Sequence, residues 1–170
     1  DANEDADNDG LTNLEEFRMG TDPRNPDRVS PAVAQIFPAD GTTGTPINGV
    51  VVARFTEPLQ AESVVAGTVR LIRQNTALAG TVTLSGDGLS VTFTPTLELN
   101  PLTLHTVQID GHKDRAGNRM AGTFTSSFTT GQFQDTTPPN VLRTSPPSGA
   151  TDVPVNTPFV VEFSERMDLG

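Results

Sequence analysis

At 170 residues, with 34% of them hydrophobic, nine Phe and neither Trp nor Tyr, the chain has material for one or two domains with a thin core of Val, Leu, Ile and Phe. That suits a β-sandwich better than a large enzyme. The net charge of -10 is uneven: residues 1 to 28 hold nine acids and three Arg, which argues against nucleic acid or an anionic membrane as partner and for a cation. The absence of Cys excludes disulfides and thiolate metal sites, so any staple must be packing or an oxygen-ligated metal.

No run of eighteen apolar residues occurs, so no membrane insertion is expected within this stretch, and no leader opens it. Any signal or anchor is expected to lie outside this stretch.

The acidic head begins with Asp5-Ala6-Asp7-Asn8-Asp9-Gly10-Leu11-Thr12-Asn13-Leu14-Glu15-Glu16, which fits the twelve-residue calcium loop at each diagnostic position. Calcium takes six to eight hard oxygens at about 2.4 Å, and carboxylates at alternate positions converge only if the chain turns sharply at the sixth, here Gly10. Asp5, Asp7 and Asp9 are the expected side-chain ligands. Leu11 would give its carbonyl, Asn13 a side-chain or water-mediated contact, and Glu16 a bidentate carboxylate. Thr12 and Glu15 form a capping box, Leu14 and Phe17 share a face and Gly20 is a natural stop, which predicts a helix of about two turns. Only Asp1 to Glu4 precede the loop, so no entering helix is expected.

The pattern runs on as Gly20-Thr21-Asp22-Pro23-Arg24-Asn25-Pro26-Asp27. DADNDGLTNLEEFRMGTDPRNPD resembles the thrombospondin type 3 repeat, a calcium-binding module common in bacterial surface proteins. The resemblance covers about residues 1 to 28 and implies that Asp22, Asn25 and Asp27 are further ligands or close the loop back on the ion; the same residues also make ordinary turns.

From residue 30 to 132, short alternating runs separated by turn residues predict an all-β unit. The runs are Val33 to Phe37, Val50 to Phe55, Thr68 to Ile72, Ala79 to Leu84, Ser90 to Thr94, Thr103 to Ile109 and Thr123 to Thr129. Val51, Ala53 and Phe55 would share one face, Asp40-Gly41 would turn the chain, Gly86-Asp87-Gly88 would close a hairpin and Ala61 to Ala66 a helical turn. Seven strands in this span imply an immunoglobulin-like antiparallel sandwich. His105 reads as a half-buried strand residue and His112 as part of a solvated loop. Glu57 reads as serving a strand-end turn. Asp114 and Asn118 read as turn residues, with a second calcium site as the alternative.

FPADGTTGTPINGVVVARFTEPLQAESV, SGDGLSVTFTPTLELNPLTLHTVQIDGHKDRAGNRM and SFTTG are similar to the bacterial Ig-like domain of S-layer and other surface proteins, over nearly all of residues 31 to 131. That family commonly carries Tyr where His105 stands. Such domains serve as spacers or stalk units, so the resemblance implies a non-catalytic structural role at an extracellular or cell-surface location.

Shifting the sequence by 108 residues lays Val33 to Leu59 over Val141 to Met167 without a gap, with nine identities in twenty-seven positions. DTTPPNVLRTSPPSGATDVPVNTPFVVEFSERMD therefore looks like the start of a second copy. The expected organisation is a calcium-binding head at 1–29, an Ig-like unit at 30–132, a stiff Pro-rich linker at 133–140 and the first strands of a second unit at 141–170. Those strands cannot bury their apolar faces alone, so either the protein continues past Gly170 or they pair with another copy. The expected partners are calcium and neighbouring Ig-like domains or copies of the chain itself. Two other readings stand beside the structural one: a filament subunit that donates strands, and accessory domains of a secreted hydrolase.

Overall fold

The computed structural model describes residues 1–19 and 21–165. It forms two compact units, residues 1–135 and 136–170. Gly20, the expected helix stop, lies outside the described residues.

The first unit opens with helix α1, Asn13–Met19. Its start is the expected capping box: Thr12 N donates to Glu15 Oε2 (3.0 Å) and Glu15 N to Thr12 Oγ1 (3.4 Å), so two otherwise orphaned amides are satisfied reciprocally. Leu14 is half-buried and Phe17 exposed, so the helix draws little from burial.

Strands β1 (Val33–Phe37), β3 (Val51–Phe55), β6 (Gly80–Leu84) and β7 (Ser90–Pro95) make one antiparallel sheet in the order β1-β3-β7-β6. The second sheet has the order β2-β9-β8-β4-β5, with β2 at Thr42–Thr45, β4 at Val69–Arg73, β5 at Thr76–Ala77, β8 at Leu104–Ile109 and β9 at Phe124–Thr130. β1 and β2 are one strand that changes sheets at a turn, and β2 then runs parallel to β9. Asp40 fixes the crossing by accepting a hydrogen bond from Ser127 N (2.8 Å).

Alternation places the core between the sheets. Val51, Ala53 and Phe55 of β3, Val91 and Phe93 of β7, Val69 and Leu71 of β4, Val107 and Ile109 of β8 and Phe128 of β9 form one buried cluster. The β6–β7 hairpin closes over residues 85–88, where Gly88 adopts φ 76 and Asp87 Oδ1 accepts from Leu89 N (2.9 Å). Ala61–Ser63 form a single 3-10 turn.

Both histidines depart from their expected surroundings. His105 is fully buried rather than half-buried, stacked on Phe128 at a centroid distance of 5.5 Å, with Nδ1 3.0 Å from the Thr103 carbonyl. His112, expected in solvent, is also fully buried, edge-on to Phe55 at 5.2 Å. The polar loop around it folds back over the end of the sandwich. Gln60 N donates to the Lys113 carbonyl (2.8 Å), Met120 N to the His112 carbonyl (2.9 Å) and Lys113 N to Ser63 Oγ (3.0 Å).

The second unit contains an antiparallel pair, β10 (Val141–Ser145) and β11 (Val160–Phe163). Its register, Val141 with Phe163 and Arg143 with Glu162, repeats that of Val33 with Phe55 and Gln35 with Arg54, including the irregularity between the two pairs. Among the described residues no helix is long and apolar enough to cross a membrane.

Candidate metal centres

The head loop folds around its own carboxylates. Asn8 and Gly10 adopt positive φ (60 and 99), and the resulting turn aims Asp5, Asp7 and Asp9 inward until one oxygen of each lies within 4.8 Å of the others. The outer shell of this loop is backbone. Asp5 accepts from Asp9 N (3.2 Å) and Gly10 N (2.9 Å), and Asp9 accepts from Leu11 N (2.9 Å).

Several oxygens are left enclosed without a partner: both of Asp7, Oδ1 of Asn13 and Oε2 of Glu16, whose side chain is fully buried. Burial, and then the neighbouring charges of Asp7 and Asp9, holds the Glu16 carboxyl above its usual range, and burial with the Asp9 charge does the same to Asp7. Unpartnered, mutually repelling hard oxygens on a loop that turns at glycine are the donor set that a hard cation such as calcium takes. Leu11 fills the space beneath, 3% exposed.

Asp22, Asn25 and Asp27 divide. Asp22 and Asn25 are exposed and share a turn, with Asn25 N donating to the Asp22 carbonyl (2.9 Å) and Arg24 N to Asp22 Oδ1 (3.1 Å). Asp27 N donates to Asp9 Oδ2 (2.6 Å), which ties the end of the head back onto the loop. The Asp27 carboxylate faces the sandwich, where one oxygen each of Asp27, Glu57 and Asp114 lie within 4.8 Å of one another. Burial first, then Asp27 and Asp114, pushes the Glu57 carboxyl up to about 7.

The sequence assigns Glu57 only a strand-end turn role and offers Asp114 with Asn118 as turn residues, or alternatively as a second calcium site, without pointing to Asp27 or Glu57 as their partners. Those ligating types come from three separate segments, and no local spacing announces them.

The head is packed on the sandwich through the loop between β8 and β9. A Cβ on Gly10 would lie 2.8 Å from the Arg115 carbonyl oxygen, so glycine is needed for the approach as well as for the turn. Arg115 Nη1 reaches Glu15 Oε1 (2.8 Å), and Asn118 Nδ2 donates to the Asp27 carbonyl (3.1 Å).

A family model described as bacterial Ig-like domain matches residues 27–130 and matches again over 135–170. The chain belongs to the bacterial Ig-like domain family. Residues 1 to 26, with the Asp5–Asp9 loop, lie outside the match, whereas Asp27, Glu57 and Asp114 all fall within the Ig-like span. An S-layer protein of Geobacillus stearothermophilus is 35% identical over 92 residues, covering 54% of this chain and 7% of that protein. The crystallised S-layer protein rSbsC matches 67% of this chain and 15% of its own at a TM-score of 0.50 and 21% identity. CopC from Methylosinus trichosporium matches 63% of this chain and 98% of its own at a TM-score of 0.52 and 11% identity. The last two bear on the Ig-like fold alone. The chain thus spans a small part of the S-layer relative's length.

Proposed function

We propose that this chain is a non-catalytic structural segment of a bacterial cell-surface protein, with a thrombospondin type 3-like head that calcium stiffens and sets against the first Ig-like unit. The observation that carries the calcium reading is the Asp5–Asp9 loop, where Asp7 and Glu16 keep enclosed oxygens without a protein partner. Asp5, Asp9, Asn13 and the Leu11 carbonyl would complete the set, and the ion would supply charge neutralisation and a rigid centre for the loop. The surface location is supported by the likeness to an S-layer protein. A structural role is supported by the Ig-like fold and by the burial of both histidines, His105 and His112, inside the sandwich.

Calorimetric titration of the metal-stripped chain with calcium tests the reading. Heat of binding that Glu16→Gln reduces is the expected result; a chain that binds no calcium overturns it. A second reading, assembly of copies by strand donation, is favoured by the exposed apolar residues Val141, Leu142, Phe159 and Phe163 of the second unit. Light scattering separates the two: a monomer mass supports the spacer, and concentration-dependent linear assemblies support the filament.

A further inference from the structure

The second set of carboxylates is assembled by the fold. Asp27 comes from the segment entering the sandwich, Glu57 from just beyond β3, and Asp114 from the loop between β8 and β9. Asp114 is 2% exposed; its Oδ1 accepts from Asn118 N (2.8 Å), which leaves Oδ2 enclosed and without a partner. Glu57 Oε1 is enclosed and unpartnered as well, while Asp27 Oδ1 accepts from Val29 N (2.8 Å). Among the described residues no ion pair reaches any of the three. Enclosed carboxylate oxygens at such mutual distances cost free energy unless a cation sits among them or a proton is shared, as in the hydrogen bond between the Glu57 and Asp27 carboxyls.

We infer that Asp27, Glu57 and Asp114 form a second site for a hard divalent cation of the calcium class, one that pins the head to the sandwich. Two oxygens on opposite sides of one calcium ion stand about 4.8 Å apart, so three oxygens within that distance of one another fit around a single ion. Magnesium dehydrates reluctantly and favours one or two carboxylates with several waters, so three converging carboxylates select the larger ion. The site joins segments far apart in the chain, and its closure holds the loop at 111–118 over the end of the core where His112 is buried. The family repeat writes two of the three residues again: Asp135 and Glu165 stand 108 positions after Asp27 and Glu57. The inference stands apart from the calcium reading of the Asp5–Asp9 loop, since the two donor sets share no residue.

The test is calorimetric titration of the full, EGTA-stripped chain with calcium chloride alone, for the wild type, Glu57→Gln, Asp114→Asn and Glu16→Gln. The expected result is two ions per chain in the wild type and one in each variant, with Glu57→Gln and Asp114→Asn losing the same step and Glu16→Gln the other. In EGTA, Glu57→Gln should melt no lower than the wild type, because it removes a repelling charge, and calcium should raise its melting temperature by less; this reading also excludes misfolding. Retention of both ions by Glu57→Gln and Asp114→Asn overturns the inference. A single wild-type ion lost in Glu16→Gln alone overturns it and leaves the head reading standing. A single ion lost in Glu57→Gln alone does the reverse, and a chain that binds no calcium removes both.

Discussion

Gly80 lies where β6 passes over the ring of Phe93. A Cβ there would sit 2.4 Å from the ring and 2.6 Å from the Thr94 carbonyl, and both neighbours are held by the β6–β7 ladder. Gly80→Ala is therefore expected to destabilise the sandwich by ~1–3 kcal/mol, the usual cost of overpacking. The measurement is the urea midpoint at unchanged slope, and an unmoved midpoint would mean that Phe93 swings aside freely. His105 makes a prediction in pH. Burial pulls its pKa below the ordinary 6.5, so the folded state prefers the neutral ring. Its contribution is fully present above the unfolded value and is lost as pH falls through the window below it. His105→Phe keeps the stack on Phe128, and the Thr103 carbonyl still accepts from Thr130 N (3.0 Å). The variant should gain on the wild type steadily as pH drops from about 7 to about 5; parallel melting curves across that range would refute the account. At this scale the sequence was only half legible. Alternation with Val107 and Ile109 told which way His105 points, but the burial of His112 depends on a loop held by Gln60, Ser63 and Met120, which no neighbour in sequence reveals.

Strands were readable where side chains alternate between core and solvent, as in β3, β4, β7, β8 and β9. Two strands escaped: β5, only Thr76–Ala77, and β2, Thr-Thr-Gly-Thr, with no apolar face to betray it, whose pairing with β9 is parallel and spans most of the unit. The candidate sites divide in the same way. Asp5, Asp7 and Asp9 announce themselves because one loop supplies them all at fixed spacing. Asp27, Glu57 and Asp114 come together only after β3 and β8 have been packed into opposite sheets. Two of the contacts at the seam between head and sandwich carry unequal weight. The Arg115–Glu15 pair is more than a third exposed, so Arg115→Ala should cost at most about 1 kcal/mol. Gly10 combines φ 99 with the 2.8 Å approach to Arg115, so Gly10→Ala should cost about 1–2 kcal/mol in backbone strain alone and also push the head off the loop. Hydrogen exchange separates them: amides of residues 9 to 16 should lose protection in Gly10→Ala and keep most of it in Arg115→Ala. Equal loss in both would place the weight of the seam on the ion pair instead.

Within the first unit, the two parts are stabilised by different physics. The sandwich between β1 and β9 buries a continuous apolar cluster from both sheets, a driving force that needs no ion. The head has one seven-residue helix, a largely exposed surface and repelling carboxylates, so under the proposed calcium reading its order would depend on cations at the Asp5–Asp9 loop and at the Asp27–Glu57–Asp114 cluster. Chelation should therefore loosen the head and leave the sandwich folded. Trypsin reports this directly, because Arg18, Arg24 and Arg28 lie in the head, whereas Arg54, Arg70 and Arg73 lie on strands of the sandwich. With calcium present, all six should be cut slowly. In EGTA, cleavage at the three head sites should accelerate by at least about tenfold, as expected when local opening becomes easier by about 1.4 kcal/mol, while the strand sites stay resistant. Simultaneous acceleration at the strand sites would mean that the cations hold the sandwich itself, and unchanged cleavage in the head would mean that packing on the β8–β9 loop orders it without them.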